Sequence, residues 1–228
     1  MLLKKWDDLP EYMRNEKVKK YYDVLFKKKG QLILKRLFDI CVSIILIVIL
    51  SPVLLVLSIW IKIDSHGPVF YRQERVTQYG RIFKIFKFRT MIVNADKIGA
   101  LVTTSNDSRI TKVGEKIRKC RLDEIPQLFN IFVGDMTFVG TRPEVKKYVE
   151  QYTDEMYATL LLPAGVTSLA SIEFKDEDEI INRYKERSID EIYTNEVLPL
   201  KMKYNLEALT SFSFIKEIGV MFNTIMKV

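Results

Sequence analysis

The sequence predicts an α+β protein in which helices are the majority and one segment near the N-terminus is associated with a membrane. An uncharged apolar run of 22 residues, from Ile40 to Ile61, predicts the membrane segment. Two alternating segments after it predict one small β-hairpin. Beyond residue 90 most segments look helical, and we find no internal repeat.

The composition narrows the classes of protein. The 228 residues carry a net charge of +7, and 48% of them are hydrophobic, which excludes a disordered chain. Two cysteines and one histidine exclude a disulfide-rich scaffold, a cysteine-rich zinc module and a multi-histidine metal site. Basic residues dominate on both sides of the uncharged run, which favours anionic lipid over nucleic acid as a partner and suits a polyphosphate substrate.

Residues 1–31 are predicted to form a basic, helical extension in which Tyr, Trp and Leu lie among lysines. They do not show a signal-peptide pattern, because the apolar run starts too late and no small-residue cleavage site follows it. Two interpretations remain open. The extension is a solvated helix, or it lies on anionic headgroups as a basic surface element.

The apolar run is long enough to cross a bilayer, since 22 helical residues extend about 33 Å. A soluble core helix seldom stays apolar on every face over such a length, so we expect contact with lipid. At the middle lies Ser51-Pro52, where the proline is expected to kink or break the helix. Basic residues flank both ends, so the positive-inside rule leaves a spanning helix and a re-entrant helix open.

The soluble part begins with the predicted hairpin, whose strands occupy residues 69–76 and 81–89 around a turn at 77–80. Residues 91–100 look helical, and 105–108 look like a loop. Further helices are predicted at 111–119, 124–132, 144–160, 177–186, 189–209 and 212–226, with a turn and an extended piece at 134–140.

An adjacent carboxylate pair, Asp123-Glu124, is the main candidate for chemistry. Acidic residues at a helix start can simply complement the helix dipole. Here the pair follows the most basic region of the chain, residues 81–121, and carboxylates beside cations can also bind Mg²⁺ or attack phosphorus. The basic side chains themselves can bind phosphate oxygens, although a solvated basic face has the same composition.

A series of long motifs connects these features. In chain order they are Lys35-Arg36 with Asp39, Ser51-Pro52, Gln73 with Arg75, FKFRTM at 86–91, Arg118, LDEIPQLFN at 122–130 and GDMTFVGTRP at 134–143. Their order and length resemble the bacterial sugar transferase family, the small monotopic phosphoglycosyl transferases. The resemblance extends from about Lys35 to Ser171, and motifs of this length are far more specific than any one residue pair.

The resemblance implies a reaction and its partners. A phosphosugar is transferred from a UDP-sugar to undecaprenyl phosphate, which gives an undecaprenyl-diphosphate sugar and UMP. This is the first membrane step of bacterial glycoconjugate assembly, it requires Mg²⁺, and it proceeds through a covalent aspartyl phosphosugar intermediate. Membrane lipid is an expected partner, nucleic acid is not, and a homodimer is compatible with the family.

The resemblance also implies a monotopic fold on the cytoplasmic face of the bacterial inner membrane. A re-entrant helix at 32–62, broken at Ser51-Pro52, precedes a cytoplasmic catalytic domain at 63–228. At the membrane and headgroup boundary the matching residues are Lys35, Arg36, Ser51 and Pro52.

Residue by residue, the resemblance makes Asp123 the nucleophile and Glu124 its partner, and either carboxylate can hold the metal. It places Lys87, Arg118 and Arg142 around the phosphates. The alternative is a non-catalytic, membrane-anchored scaffold of a polysaccharide assembly complex, which would have no need for these carboxylates and cations together.

Three positions depart from the family pattern. Thr77 stands where a glycine is usual, and Thr141 replaces the first proline of the common Pro-Arg-Pro. At 162–171, LPAGVTSLAS replaces the usual Arg-Pro-Gly-x-Thr-Gly-Trp. Because this last segment can bear on which nucleotide or sugar is accepted, the sequence leaves the sugar and the glycan pathway open.

Overall fold

Helices predominate in the computed structural model, which describes residues 3–95, 107–174, 180, 183–184 and 187–227. The α-helices are Glu16–Lys27 (α1), Lys29–Asp64 (α2), Lys112–Lys119 (α3), Gln127–Val133 (α4), Lys146–Val149 (α5), Leu169–Glu173 (α6), Ile189–Ile192 (α7), Leu198–Thr210 (α8) and Phe214–Lys227 (α9). The strands are Phe70–Val76 (β1), Ile82–Phe88 (β2), Met136–Val139 (β3) and Ala164–Thr167 (β4). The expectation of a mostly helical α+β protein is confirmed.

The predicted β-hairpin is present. β1 and β2 pair antiparallel, with Tyr71 opposite Lys87. Gly80 closes the turn at φ +77°, a left-handed conformation that glycine adopts without steric cost. A second sheet was not predicted: β3 and β4 pair in parallel, with Met136 opposite Ala164. Strands of four residues are too short to show a clear alternation, which explains the omission.

The predicted helix at 144–160 is wrong as a continuous element. The structure has the short helix α5 and then a 3₁₀ helix, Met156–Leu161. The segment between them turns and packs on α1, where the hydroxyl of Tyr21 donates to Glu155 at 2.7 Å. The predicted helix at 124–132 begins later, at α4. Residues 91–94 of the predicted helix at 91–100 form a bridge and a turn instead, and 96–100 lie outside the described residues, as does most of the predicted helix at 177–186.

Residues 3–31 contribute to the core, which neither interpretation of the sequence included. One face of α1 buries Val18, Tyr21, Tyr22 and Leu25. They pack with the C-terminal half of the chain, including Met202 of α8. The N-cap Asn15 accepts from the backbone N–H of Val18, and it fixes the start of this helix. The opposite face of α1 carries the lysines, and its contact with headgroups stays a prediction.

α2 continues through Ser51-Pro52 from Lys29 to Asp64, so the helix is not interrupted there, and a kink at this pair and the re-entrant topology stay predictions. Proline has no N–H to donate to the carbonyl of Val48. The hydroxyl of Ser51 donates to that same carbonyl oxygen at 2.8 Å. The serine therefore satisfies the acceptor that the proline leaves without a helical partner, and a Ser-Pro pair is tolerated inside this helix.

One stripe of α2 packs on the rest of the protein along the whole length of the helix. Its buried residues are Leu32, Lys35, Asp39, Ser43, Leu57 and Ile61. Between them, Leu46, Leu50 and Leu54 are partly buried in the same stripe. The other faces remain apolar and exposed, as with Val48 at 66% and Ile63 at 79%. Among the described residues, α2 is the only helix long and apolar enough to cross a membrane.

Candidate active site

The carboxylate pair lies on a tight turn between α3 and α4. Arg121 adopts a left-handed conformation at φ +53°, and the 3₁₀ turn Leu122–Glu124 follows it. Pro126 then precedes the first residue of α4, where its missing N–H costs no helical hydrogen bond. The turn holds both acidic side chains half-buried at the wall of a cleft.

Asn130 fixes this turn against the hairpin. Its side-chain oxygen accepts from the N–H of Phe86 at 2.8 Å, and its amide nitrogen donates to the carbonyl of Lys84 at 3.1 Å. Asn130 is 1% exposed, so these two bonds lie in the interior. They join α4 to β2 and thereby bring Glu124 next to Lys87. Sequence reasoning gave Asn130 no role, although it ends one of the motifs.

Glu124 is held by two cations. Its Oε1 accepts from Lys87 Nζ at 2.8 Å and from a guanidinium nitrogen of Arg142. Burial opposes ionisation here, but the charges of Arg142 and Lys87 outweigh it and lower the pKa of Glu124 to about 2. Glu124 is therefore ionised near neutral pH and serves as the anchor of both basic side chains.

Asp123 has a different environment. No ion pair among the described residues includes its carboxylate, whereas the neighbouring Glu124 has two. Burial raises the pKa of Asp123; Lys87 opposes this shift and Glu124 adds to it. A carboxylate without a tight cation keeps its lone pairs available. Of the two acids, Asp123 is therefore the better nucleophile and the better ligand for an incoming cation.

The two carboxylates line a cleft of about 1150 Å³. Basic side chains on its wall are Arg75, Lys87, Arg118, Arg121, Arg142 and Lys201. Two apolar side chains of α2, Leu46 and Leu50, also reach it. The cleft thus brings cations suited to phosphate oxygens together with an apolar surface of α2.

Gln127 adds an unsatisfied donor to the same cleft. The residue is 2% exposed, and its side-chain nitrogen has no hydrogen-bond partner among the described residues. A buried donor without an acceptor is costly, so it favours a ligand that carries acceptor oxygens.

Arg142 is positioned by the unpredicted second sheet. β3 leads into Gly140, whose N–H donates to the carbonyl of Thr167, and the N–H of Gly165 donates to the carbonyl of Thr141. A Cβ on Gly165 would lie 2.2 Å from the backbone nitrogen of Gly140, so the two backbones approach this closely only with glycine at position 165. The atypical segment 162–171 therefore fixes the backbone just before Arg142.

The long apolar helix α2 supports this sheet through two buried polar residues. Lys35 Nζ donates to the carbonyl of Val139 at 2.7 Å and pairs with Glu217 at 2.6 Å. Asp39 accepts from the hydroxyl of Thr137 at 2.7 Å. These partners occupy Lys35 inside the protein, where it is 2% exposed. Its predicted contact with lipid headgroups does not fit this arrangement.

The structure brings together most of the residues that the sequence singled out. Asp123, Glu124, Lys87, Arg118 and Arg142 all line the cleft. Arg118 lies in the last turn of α3, close enough to Asp123 to oppose the rise of its pKa.

Arg36 has protein partners of its own at the end of α4. Its guanidinium donates to the carbonyls of Ile131 and Phe132 at 2.7 and 2.8 Å. Ser51 and Pro52 are exposed on the outer face of α2. For these three residues the membrane role stays a prediction.

A metal ion would have few protein ligands here. The described residues contain no group of three or more Asp, Glu, His or Cys side chains that could hold one. Mg²⁺ characteristically binds through one or two carboxylates together with substrate phosphates and water. The open carboxylate of Asp123, with Glu124 beside it, fits that mode.

Known proteins resemble the chain over most of its length. The model of the family "Bacterial sugar transferase" matches residues 30–228. A UDP-N-acetylgalactosamine-undecaprenyl-phosphate N-acetylgalactosaminephosphotransferase of Aeromonas hydrophila is 34% identical over 196 residues, which cover 84% of this chain and 43% of the relative. A UDP-glucose:undecaprenyl-phosphate glucose-1-phosphate transferase of Klebsiella pneumoniae is 34% identical over 202 residues, 86% of this chain and 40% of the relative.

Another relative is matched over most of its own length. A putative undecaprenyl-phosphate N-acetylgalactosaminyl 1-phosphate transferase of Bacillus subtilis is 42% identical over 130 residues, which cover 57% of this chain and 73% of the relative. The chain spans about two fifths of the length of the Aeromonas and Klebsiella proteins. The family expected from the motifs is confirmed by the match over residues 30–228: the chain belongs to the bacterial sugar transferase family.

Proposed function

We propose that this protein transfers a sugar phosphate from a UDP-sugar to undecaprenyl phosphate, with Asp123 as a covalent nucleophile. The observation that carries the proposal is that the two acids differ in their ion pairs. Glu124 is paired with Lys87 and Arg142, while Asp123 is left open at the wall of a basic cleft. The names of the relatives support undecaprenyl phosphate as the acceptor.

The first displacement forms a bond between a carboxylate oxygen of Asp123 and the sugar-linked phosphorus. The bond from that phosphorus to the bridging oxygen breaks, and UMP leaves with the electron pair. In the second displacement a phosphate oxygen of undecaprenyl phosphate attacks the same phosphorus, and the carboxylate of Asp123 leaves. A carboxylate nucleophile thus divides one difficult exchange into two easier steps.

The basic residues neutralise the charge that both steps concentrate at the phosphorus. Lys87 and Arg142 are already fixed by Glu124, so they need little reorganisation when the diphosphate arrives. A scaffold without catalysis would have no use for cations arranged in this way.

Mg²⁺ is the cofactor that we propose for this site, held by the diphosphate together with Asp123 and Glu124. When bound, it supplies additional neutralisation of the phosphate oxygens.

The proposed location is the cytoplasmic face of the bacterial inner membrane, with the exposed apolar faces of α2 in lipid. Both ends of α2 contact the same domain: Lys35 bonds to Val139, and Asp64 accepts from the N–H of Val113 at 3.2 Å. Contacts at both ends support a helix whose ends lie on one side of the membrane. The lipid acceptor could then present its phosphate to the cleft beside Leu46 and Leu50.

A panel of UDP-sugars tests the reaction. The full chain in lipid nanodiscs is incubated with undecaprenyl phosphate, Mg²⁺ and each donor, and UMP release is measured. We expect release with at least one donor. If no UMP forms with any donor, while the protein is folded, the scaffold alternative is favoured.

Removal of divalent cations is expected to abolish turnover. EDTA should reduce UMP release to background, and an excess of Mg²⁺ should restore it, because the diphosphate and the two carboxylates all supply hard oxygen ligands. Thermal unfolding measured in EDTA controls for loss of the fold. Full turnover in the chelator would mean that the basic residues alone neutralise the phosphates.

The topology of α2 can be read by cysteine labelling in whole cells. Cys41 and Cys120 are both exposed, so they are first replaced by Ser. New cysteines are then placed singly at Lys5 and His66, which are exposed before and after α2. We expect an impermeant thiol reagent to label either position only after permeabilisation. Labelling of one of them in intact cells would show that α2 spans the membrane.

A further inference from the structure

The wall of the cleft includes four polar residues that have no role in the proposed steps. They are Arg75, Glu144, Tyr193 and Lys201, which we call the polar wall. Tyr193 belongs to the π-helical turn Tyr193–Val197 between α7 and α8, and Lys201 belongs to α8. Both lie beyond the motifs that resemble the family.

Bonds within the polar wall fix it before any ligand binds. The hydroxyl of Tyr193 donates to Glu144 Oε1 at 2.7 Å and accepts from Lys201 Nζ at 3.1 Å. The ring of Tyr193 packs on that of Tyr148, with centroids 4.5 Å apart. Arg75 Nη1 donates to the carbonyl of Pro143 at 3.2 Å. Such preorganisation lowers the entropic cost of binding a polar ligand.

The polar wall is adjacent to the residues assigned to the phosphates. Pro143 and Glu144 directly follow Arg142, which contacts Glu124. In the donor, the sugar is bonded to the reacting phosphorus through a single oxygen. Whatever recognises the sugar must therefore lie beside the phosphate-binding residues, as the polar wall does.

The chemistry of the polar wall also suits a sugar. It combines an acceptor carboxylate, a hydroxyl that can still accept a second hydrogen bond, and two cationic donors, which match the mixed donors and acceptors of sugar hydroxyl and amide groups. The relatives' names contain different sugars, such as N-acetylgalactosamine and glucose. Residues that choose the sugar are thus expected outside the motifs that carry the shared chemistry.

We propose that the polar wall recognises the sugar of the donor, with Tyr193 and Lys201 as specificity-determining residues. This inference rests on the proposed function and assigns recognition of the donor sugar to particular residues. The turn between α7 and α8, and α8 itself, would then contribute to the choice of donor.

The test compares two donors that differ at one sugar hydroxyl, chosen as the best donor of the panel and its epimer. Tyr193→Phe keeps the ring and removes the hydroxyl, whereas Lys201→Met removes the charge and Lys201→Arg keeps it. Lys203→Met is the matched control, because Lys203 is an exposed lysine on the same helix. The ratio of kcat/KM for the two donors and the inhibition constant of UMP are measured for each variant.

We expect Tyr193→Phe and Lys201→Met to change the donor ratio roughly 10-fold or more, since one hydrogen bond to a charged group has an effect of this size. UMP inhibition should stay constant, Lys203→Met should match the wild type, and Lys201→Arg should recover part of the ratio. An unchanged donor ratio in variants that still turn over would overturn the inference. So would UMP inhibition that weakens in proportion to the donor, which would assign the wall to the nucleoside. Absence of wild-type turnover with every donor would instead contradict the proposed function itself.

Discussion

Asp123→Asn is expected to lower UMP release by at least about 10³-fold, because loss of an essential nucleophile usually costs this much or more. The amide has the shape of the carboxylate but cannot attack phosphorus. Glu124 and its two cations should stay in place, so binding of the donor should change far less than turnover. Steady-state kinetics and donor binding measured on the same preparation separate the two effects.

Asp154→Asn provides the control for that substitution. The side chain of Asp154 is 64% exposed and pairs only loosely with Lys17, at 3.6 Å. We expect this variant to turn over like the wild type. An Asp123→Asn variant that retained more than a tenth of wild-type turnover would exclude Asp123 as the nucleophile and leave it at most a metal ligand.

Lys35→Met is expected to destabilise the protein by about 3–5 kcal/mol, the usual cost of removing one partner of a buried ion pair. It leaves Glu217, whose side chain is 15% exposed, without its cation. Thermal unfolding in nanodiscs should show a decrease in Tm of roughly 10 °C. Lys146→Met, which removes one partner of an exposed pair with Glu150, should change the free energy of unfolding by less than about 1 kcal/mol.

The pH dependence of Lys35→Met follows from Glu217. Burial already raises the pKa of Glu217 above its ordinary value, although Lys35 opposes this shift. Without Lys35 that pKa rises further. A carboxyl with a raised pKa in the folded state binds more protons folded than unfolded, so the free energy of unfolding falls as pH increases. The loss in free energy of unfolding caused by Lys35→Met should therefore become smaller as the pH is lowered towards 5. The double variant Lys35→Met/Glu217→Leu should recover most of that loss at neutral pH.

Patterns that extend over many residues predicted the main elements of the fold. Short strands and contacts between distant residues were not predicted. The long apolar run is predicted by its uniform composition over 22 residues, and the hairpin by the alternation of residue types along two strands. The β3–β4 pair is set by the close approach of Gly140 and Gly165, which the sequence does not place in contact. Pro52 predicted a kink or a break by its missing donor; the helix continues there, and the compensating bond from Ser51 depends on a rotamer that the sequence does not specify.

For the candidate site, the motifs likewise predicted some features and not others. Motifs identified Asp123, Glu124, Lys87, Arg118 and Arg142, and the structure collects them in one cleft. The resemblance assigned Asp123 as the nucleophile and Glu124 as its partner, but the residues themselves gave no physical reason for the difference, because it depends on which carboxylate the cations reach across the turn. Tyr193 gave no sequence signal, since an isolated tyrosine in a helical segment is most often a core residue.

Mass spectrometry of the intact protein and its peptides tests for the covalent intermediate on Asp123. The full chain is incubated with the accepted UDP-sugar and Mg²⁺ but without undecaprenyl phosphate, and it is quenched in acid. We predict release of about one equivalent of UMP and the addition of one sugar phosphate to the chain, on the peptide that contains Asp123. Later addition of undecaprenyl phosphate should remove that mass. UMP that appears only when the acceptor is present, with no adduct under acid or rapid quench, would contradict the account and indicate direct transfer in a ternary complex.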